Sequence, residues 1–444
     1  METGISKKVT WKYLLKFSLP TILSQVLIGF HGTADGIFVS RLVDPIALSA
    51  VGIVWPVYFF AMSIGIMMAT GGNALFAKKL GQGLEREAKE NFTFIFLTTL
   101  VLSVIISAAG LMFPGPLLNF LGADGYIYYM ALEYFVPILI FAPTVSLGIV
   151  LMQSFVTEGK PHIATIGSIA GATVSVGLNV LLIYVFQMGL TGAAIATGLG
   201  NTVPCIIGVG YFAFKRKGSL YFVKPKFDIA VLIKSTTNGA SEMVGVLATS
   251  ITSVLMNNIL MRIQGPEAVA ALGIIWAGMN IITAVIWGYG YGVSPIASYN
   301  YGKGDWDNLK RFYSNSLRLL LVISVIGTAA GWLLTEPLIS IYGVMPGTPI
   351  YEMTFAGFRI FVLGFAFMAY NIFATIFFTA LNNGKVSAIM AFFRTFVFFI
   401  ISVLALSELF GLTGAWIALP FADVLAIAMS VYYIRKMKKV YGYA

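Results

Sequence analysis

Apolar runs of about twenty residues or more, separated by short polar stretches, recur from Tyr13 to Ile434. At 1.5 Å per residue each can cross a hydrocarbon core roughly 30 Å thick. The pattern predicts twelve transmembrane helices, at 13–40, 46–78, 92–114, 126–156, 162–186, 190–214, 229–261, 268–300, 308–333, 350–382, 386–406 and 412–434. Twelve spans place both termini on one side of the membrane. The opening METGISKKVTWKYLLKF leads into an apolar stretch too long for a cleavable signal and offers no small-residue cleavage site. The first span is therefore expected to stay in the mature chain.

The pattern is written twice. RLVDPIALSAVGIVWPV from Arg41 and RIQGPEAVAALGIIWAG from Arg262 share Arg, Pro, Ala, Ala, Gly, Ile and Trp at an offset of 221 residues, which holds without a gap to GQG at Gly81 and GKG at Gly302. Slightly shifted, it recurs in TEGK at Gly159 and NNGK at Gly384, and in GLTGAAIA at Gly189 and GLTGAWIA at Gly411. The expected fold is all-α and integral to the membrane, two homologous six-helix bundles related by a pseudo-twofold axis along the membrane normal. Repeats of this kind characterise transporters whose halves meet around a central cleft. The expected organisation is an N-lobe at 1–216, a basic cytoplasmic linker at 217–228 and a C-lobe at 229–444.

Composition agrees: 58% of the 444 residues are hydrophobic and 10% charged, against roughly 25% charged in soluble domains. The net charge of +10 would suggest a nucleic-acid partner were it not for its placement. Lys7, Lys8 and Lys12 precede span 1 and Lys16 lies in its first turn, and every second connection thereafter is basic, whereas the alternate connections hold only Arg41 and Arg262. The chain is expected in the cell (inner) membrane, and by the positive-inside rule both termini are cytoplasmic. The basic excess thus encodes topology, and no nucleic-acid partner is expected. Cys205 is alone, so neither a disulfide within the chain nor a thiolate cluster can form.

The candidate chemistry lies in polar residues within the spans. In GFHGTADGIFVSRL, Asp35 sits in hydrocarbon, where a carboxylate costs on the order of 3 kcal/mol on the mildest insertion scale. Helical spacing puts Ser24, Ile28, His31 and Asp35 on one face, so His31 and Asp35 can touch. A carboxylate there can alternate between protonated and charged forms, the chemistry of ion coupling. The alternative is that Asp35 reaches the outer interface or pairs with Arg41. Glu242 is the second candidate, with Val246, Thr249, Ser253 and Asn257 continuing its face towards a positively charged substrate. Its alternative is a cap on a polar inner turn near Asn238. Trp55, Trp276, Trp287, Tyr289 and Tyr291 could line a cavity for flat cations or serve as packing and interface anchors. Met62, in the Gly- and Met-rich AMSIGIMMATGGNA, suits a surface that repacks. Asp423, Arg394, Arg359 and Glu133 read as residues near span ends with snorkelling routes. No Walker A loop, HExxH or nucleophile elbow occurs, so transport would draw on an ion gradient.

With ADGIFVSRL in span 1, TEGKP, and GLTGAAIAT, the chain resembles the multidrug and toxic compound extrusion (MATE) family throughout. The resemblance implies that Asp35 is the N-lobe carboxylate that binds the coupling proton or sodium ion, which makes it the candidate Na+ site. Many family members carry N-x-x-L-D-P in the fifth helix. Here SVGLNV aligns with it, placing Ser175 at the family's Asn and Asn179 at its Asp, while Thr197 matches the threonine of G-A-A-x-A-T. One carboxylate therefore stands where the family often has two. Glu242 looks like the family's seventh-helix glutamate. The implied function is multidrug efflux by cation-coupled antiport of lipophilic or cationic compounds, without an enzymatic reaction or cofactor beyond the coupling ion, by a monomer in the bilayer. The rivals are a flippase for a lipid-linked saccharide, an exporter of one endogenous metabolite, and a membrane-embedded enzyme. A flippase should present several arginines to its pyrophosphate, and an enzyme a clustered His, Asp and Glu site.

Overall fold

The computed structural model describes residues 5–43, 47–216 and 218–443; Lys217 and the side chain of Arg41 lie outside the described residues. In the first half the helices are α1 (Trp11–Leu42), α2 (Ala47–Gly81), α3 (Glu85–Met112), α4 (Pro114–Phe120), α5 (Gly125–Thr157), α6 (Pro161–Asn179) and α7 (Gly189–Phe214). The second half holds α8 (Ile229–Gln264), α9 (Pro266–Lys303), α10 (Trp306–Leu333), α11 (Thr335–Ile341), α12 (Pro349–Leu363), α13 (Phe365–Ala380), α14 (Gly384–Phe392) and α15 (Phe399–Tyr441). Side-chain caps start the inner helices: Thr10 accepts from Tyr13 N at 3.2 Å, Asp228 from Ala230 N at 2.9 Å and Asp305 from Asn308 N at 3.1 Å.

Ten helical segments are long and apolar enough to cross a membrane, and α12 with α13, bent by 49° at Gly364, make an eleventh span. A Cβ at Gly364 would crowd Pro420 of α15, so a glycine lets the two chains approach at the bend. The helical run from Gly384 to Tyr441 covers 58 residues, about 87 Å at the helical rise and nearly three membrane thicknesses. It breaks at Gly411, whose φ of 56° and ψ of −132° are non-helical. Two spans result, and the total is twelve. Gly189, which begins the matching GLT motif of the first half, has the same φ of 56°, a left-handed value that costs glycine little. The short α4 and α11, absent from the hydropathy pattern, lie in equivalent connections of the two halves. Two π-helical stretches, Val180–Val185 after α6 and Phe393–Phe398 after α14, widen the fifth and eleventh spans.

The halves meet near the termini. Gln153 donates to the Tyr291 carbonyl at 3.0 Å, Asn382 to the Ala74 carbonyl at 3.3 Å, and Val9 N to Asn308 Oδ1 at 3.2 Å. Small residues allow the backbones to touch: a Cβ at Gly71 would overlap the Ser235 carbonyl, and one at Gly239 the Met67 carbonyl. One apolar cluster, including Leu14, Met68, Phe76, Ile286, Tyr289 and Ile296, runs through this contact. A separate cluster, including Val39, Val54, Phe135, Ile138 and Leu190, stays within the far end of the first half. The molecule is thus joined on the side of the termini.

The segment after α7 does not hang free. Leu220 is fully buried, Phe222 N donates to the Phe212 carbonyl at 3.1 Å, and the Phe222 ring stacks on Phe92 at 5.1 Å. Val223 N donates to Thr93 Oγ1 at 3.1 Å. This strap lies on α3 and α7, and Gly218 covers the buried Glu158 carboxylate.

Candidate functional site

Among the described residues, polar side chains gather in the interior around Asp35 in the first half and around Glu242 in the second. In the first, Asp35 lies on α1, about 36 Å of helix beyond Trp11 by the helical rise. Its Oδ1 accepts from Asn179 Nδ2 at 2.8 Å and its Oδ2 from Thr197 Oγ1 at 3.0 Å. His31 Nδ1 stands 3.7 Å from Oδ2, with the two side chains 12% and 14% exposed. Asp35 therefore turns inward onto α6 and α7. Among the described residues no lysine or arginine pairs with it, and His31 is the one ion-pair partner.

Local sequence explains this convergence. His31 and Asp35 stand one turn apart on α1. Asn179 closes α6 just where the π-helical stretch begins, a feature common at functional positions. A Cβ at Gly200 would strike Ser175, so glycine brings α7 against α6 and sets Thr197 beside Asn179. Ser175 is fully buried in that contact and its hydroxyl has no hydrogen-bond partner; the His31 Nε2 atom is likewise buried and unpartnered. The structure adds residues absent from the sequence reading. Tyr134 of α5 reaches Thr197, Tyr58 of α2 lies within electrostatic range of Asp35, and Asn201 donates to the Tyr58 hydroxyl at 3.3 Å. Buried tyrosines inside apolar spans carry no periodic signal that separates site from core.

The second cluster centres on Glu242 of α8, which is 3% exposed. Its Oε2 accepts from the Tyr291 hydroxyl at 3.3 Å, while Oε1 has no partner. A cavity of about 10 Å³, room for a single water, adjoins it, lined by Thr70, Asn73 and Gln153 of the first half and by Glu242, Tyr291 and Thr379 of the second. Glu242 is thus sealed where the halves meet. Beyond it lie Arg394, at the start of the second π-helical stretch, and Asp423 of α15. Arg394 Nη1 stands 3.7 Å from Asp423 Oδ1. Asn371 of α13 donates to the Asp423 carboxylate at 3.2 Å and to its carbonyl at 2.8 Å, and Ser430 donates to Asn371 Oδ1 at 2.8 Å. Arg394 and Asp423, expected to snorkel near span ends, are instead paired inside the second bundle. Their central positions in spans 11 and 12 were the available signal.

The other candidates scatter. Asn257 is exposed on α8, some 22 Å of helix beyond Glu242. Trp276 packs edge-on against Phe361 at 6.2 Å, with its Nε1 buried and unpartnered. Met62 lies half-buried against the outer cluster of the first half. Trp287 and Tyr291 pack together at 5.4 Å. No group of three or more His, Cys, Asp or Glu side chains suited to a metal occurs among the described residues.

A family model described as MatE matches residues 20–203 and 243–404 of the chain. The multidrug export protein MepA of Staphylococcus saprophyticus is 26% identical over 97% of this chain and 95% of its own length. MepA of Staphylococcus aureus strain bovine RF122 is 25% identical over the same shares. Among solved structures, a MATE protein in complex with MaL6 superposes with a TM-score of 0.94 at 20% identity, covering both chains in full. A multidrug resistance MATE transporter of the MOP superfamily, in an outward-facing conformation, superposes with a TM-score of 0.92 at 20% identity over 98% of both chains. Those two likenesses carry the fold; the family match carries the kinship.

Proposed function

Because the chain belongs to the multidrug and toxic compound extrusion family, we propose that it is a secondary active antiporter that exports lipophilic or cationic compounds in exchange for H+ or Na+. Asp35 is the coupling group. The observation that carries this reading is a carboxylate turned into the interior of the first bundle and held by two neutral donors, Asn179 and Thr197, with His31 its one ion-pair partner among the described residues. Neutral donors orient a carboxylate without cancelling its charge, so the ion that neutralises it must come and go. The buried, unpartnered Ser175 hydroxyl and a half-turn of the Asn179 amide would supply further oxygen ligands to a monovalent cation.

Glu242 serves as the second coupling group or as the counter-charge for a cationic substrate, and its place where the halves meet supports that role. The side closed here carries the termini and, by the positive-inside assignment, faces the cytoplasm. We read the arrangement as outward-facing, with the two bundles rocking as lobes about this contact. A monovalent drug exchanged for one inward cation moves no net charge, so roughly 2.3 kcal/mol per 100 mV would not assist expulsion. The driving force is then a pH or sodium difference, or a second ion at Glu242. The protein works as a monomer in the inner membrane and uses no cofactor beyond the coupling ion.

The flippase reading is weakened by the state of two span arginines. Arg359 stacks on Trp332 at 4.8 Å and Phe355 at 3.9 Å, and Arg394 is held by Asp423. Neither is offered to a pyrophosphate. The test is uptake of a fluorescent lipophilic cation into proteoliposomes under a pH gradient and, separately, a sodium gradient. One gradient should drive accumulation in the wild type and fail with Asp35→Asn. Equal uptake by the variant overturns the assignment.

A further inference from the structure

We propose that the Arg394–Asp423 pair sets the charge felt at Glu242, and so the affinity of the second half for a cation. This inference rests on the proposed role of Glu242 as a cation group. Two polar groups adjoin where α8 packs against the second π-helical stretch: Glu242 of α8 with Tyr291 of α9, and Arg394 of that stretch with Asp423 of α15 and its partner Asn371 of α13. Tyr291 and Asn371 are neutral, so the charges are those of two carboxylates and one guanidinium. With all three ionised the cluster carries a single net negative charge.

Arg394 has two acidic neighbours. It lies 3.7 Å from Asp423 and also acts electrostatically on Glu242. Its Nε and the Glu242 Oε1 atom are both buried without partners. Asp423, in contrast, has its carboxylate engaged by both Asn371 and Arg394 and is 4% exposed. Asp423 is therefore the anchor that holds the guanidinium, and Glu242, beside the small cavity between the halves, is the carboxylate left unpaired for a mobile cation to reach when the halves part. Holding Arg394 on Asp423 keeps a positive charge close to Glu242 while preventing a full pair with it. The guanidinium is a positioning group for charge and touches no substrate.

A purely structural ion pair predicts the same sign of effect for loss of either partner, because either loss strands a buried charge. Charge setting predicts opposite signs. Arg394→Met leaves two uncompensated carboxylates and tightens cation binding; Asp423→Asn leaves a guanidinium free to neutralise Glu242 and weakens it. The combination Arg394→Met with Asp423→Asn restores one net negative charge and should bind like the wild type. Arg394→Lys, which keeps the charge and changes the shape, should also bind like the wild type.

The experiment is binding of tetraphenylphosphonium to the purified full-length protein, with melting temperatures recorded to confirm that each variant is folded. The expected shifts are on the order of tenfold in Kd in each direction, the scale of one unit charge acting over about 10 Å at an effective dielectric of 20, and they should vanish in a Glu242→Gln background. Should Asp423→Asn fail to fold, the tightening by Arg394→Met, its reversal in the double variant and the neutrality of Arg394→Lys carry the same test. Shifts of the same sign, or none, with Glu242→Gln still weakening binding, overturn the charge-setting pair and leave the proposed function intact. An unchanged Kd in Glu242→Gln itself overturns the role of Glu242, and this inference with it.

Discussion

Gly81 and Gly302, 221 positions apart in the chain, make equivalent contacts: a Cβ at Gly81 would overlap the Tyr299 carbonyl, and one at Gly302 the Lys78 carbonyl, with Tyr299 itself 221 positions after Lys78. The repeat written in the sequence is thus realised as a pseudo-twofold contact between the inner ends of α2 and α9. Gly81→Val should hold these ends apart, because the intruding atoms meet backbone that cannot rotate away. Transport should fall roughly tenfold, about 1.4 kcal/mol of barrier. Spin labels at Arg86 and Lys310 should report a longer separation than in the wild type; an unchanged distance distribution would show that the helices slide to absorb the side chain.

Asn179→Asp places a second carboxylate against Asp35. A site with two negative charges attracts a cation more strongly, and a ligand that binds only the folded state raises its stability. The variant should gain several degrees in melting temperature on adding NaCl in place of choline chloride, more than the wild type, and Asp35→Asn should abolish the difference in both. Equal sodium responses in variant and wild type would remove Asn179 from the ion site.

Asn257 and Trp276 should behave differently from Asp35. Asn257 is exposed and remote from Glu242, so Asn257→Ala should change transport by less than about twofold, in line with surface substitutions of about 0.5 kcal/mol or less. Trp276 is packed against Phe361, so Trp276→Ala should cost stability, up to about 3 kcal/mol, with drug affinity of the folded fraction unchanged. Loss of affinity without loss of melting temperature would return Trp276 to the substrate path.

Glu158 gives a pH dependence outside the membrane. Burial raises its carboxyl above the ordinary value of 4.5, against the opposing effect of hydrogen bonds from Lys160 at 2.6 Å and Tyr211 at 3.2 Å. The two partners differ because the Glu158 side chain is 1% exposed and that of Lys160 33%: for the carboxylate burial outweighs pairing, and for the ammonium pairing wins. A raised carboxyl favours the folded state fully below 4.5, and that contribution is lost as pH rises through the raised value. The melting temperature of the wild type should therefore fall over that window, and Glu158→Gln should flatten the slope. A slope unchanged by the substitution would assign it to other groups.

How much of this was legible beforehand follows from what each feature depends on. The span count, the duplication and the expected topology rest on run lengths, local identities and the placement of lysines, all one-dimensional properties of the chain. Motif positions likewise pointed to Asp35, Asn179 and Thr197, and the structure brings those three together at 2.8 and 3.0 Å. The helical period assigns a residue to a face, yet it does not say which neighbour that face meets. That depends on the rotation of each helix against partners distant in sequence. It depends also on two π-helical stretches that change the phase and on a 49° bend at Gly364. Only the tertiary structure could therefore pair Arg394 with Asp423, bring Tyr58 and Tyr134 near Asp35, fold the 218–223 strap onto α3 and α7, seal Glu242 between the halves and leave Asn257 outside. Membrane crossing is a local requirement of hydrophobic length, met segment by segment; a polar site inside the bundle is a collective requirement, met only when helices from across the chain have packed.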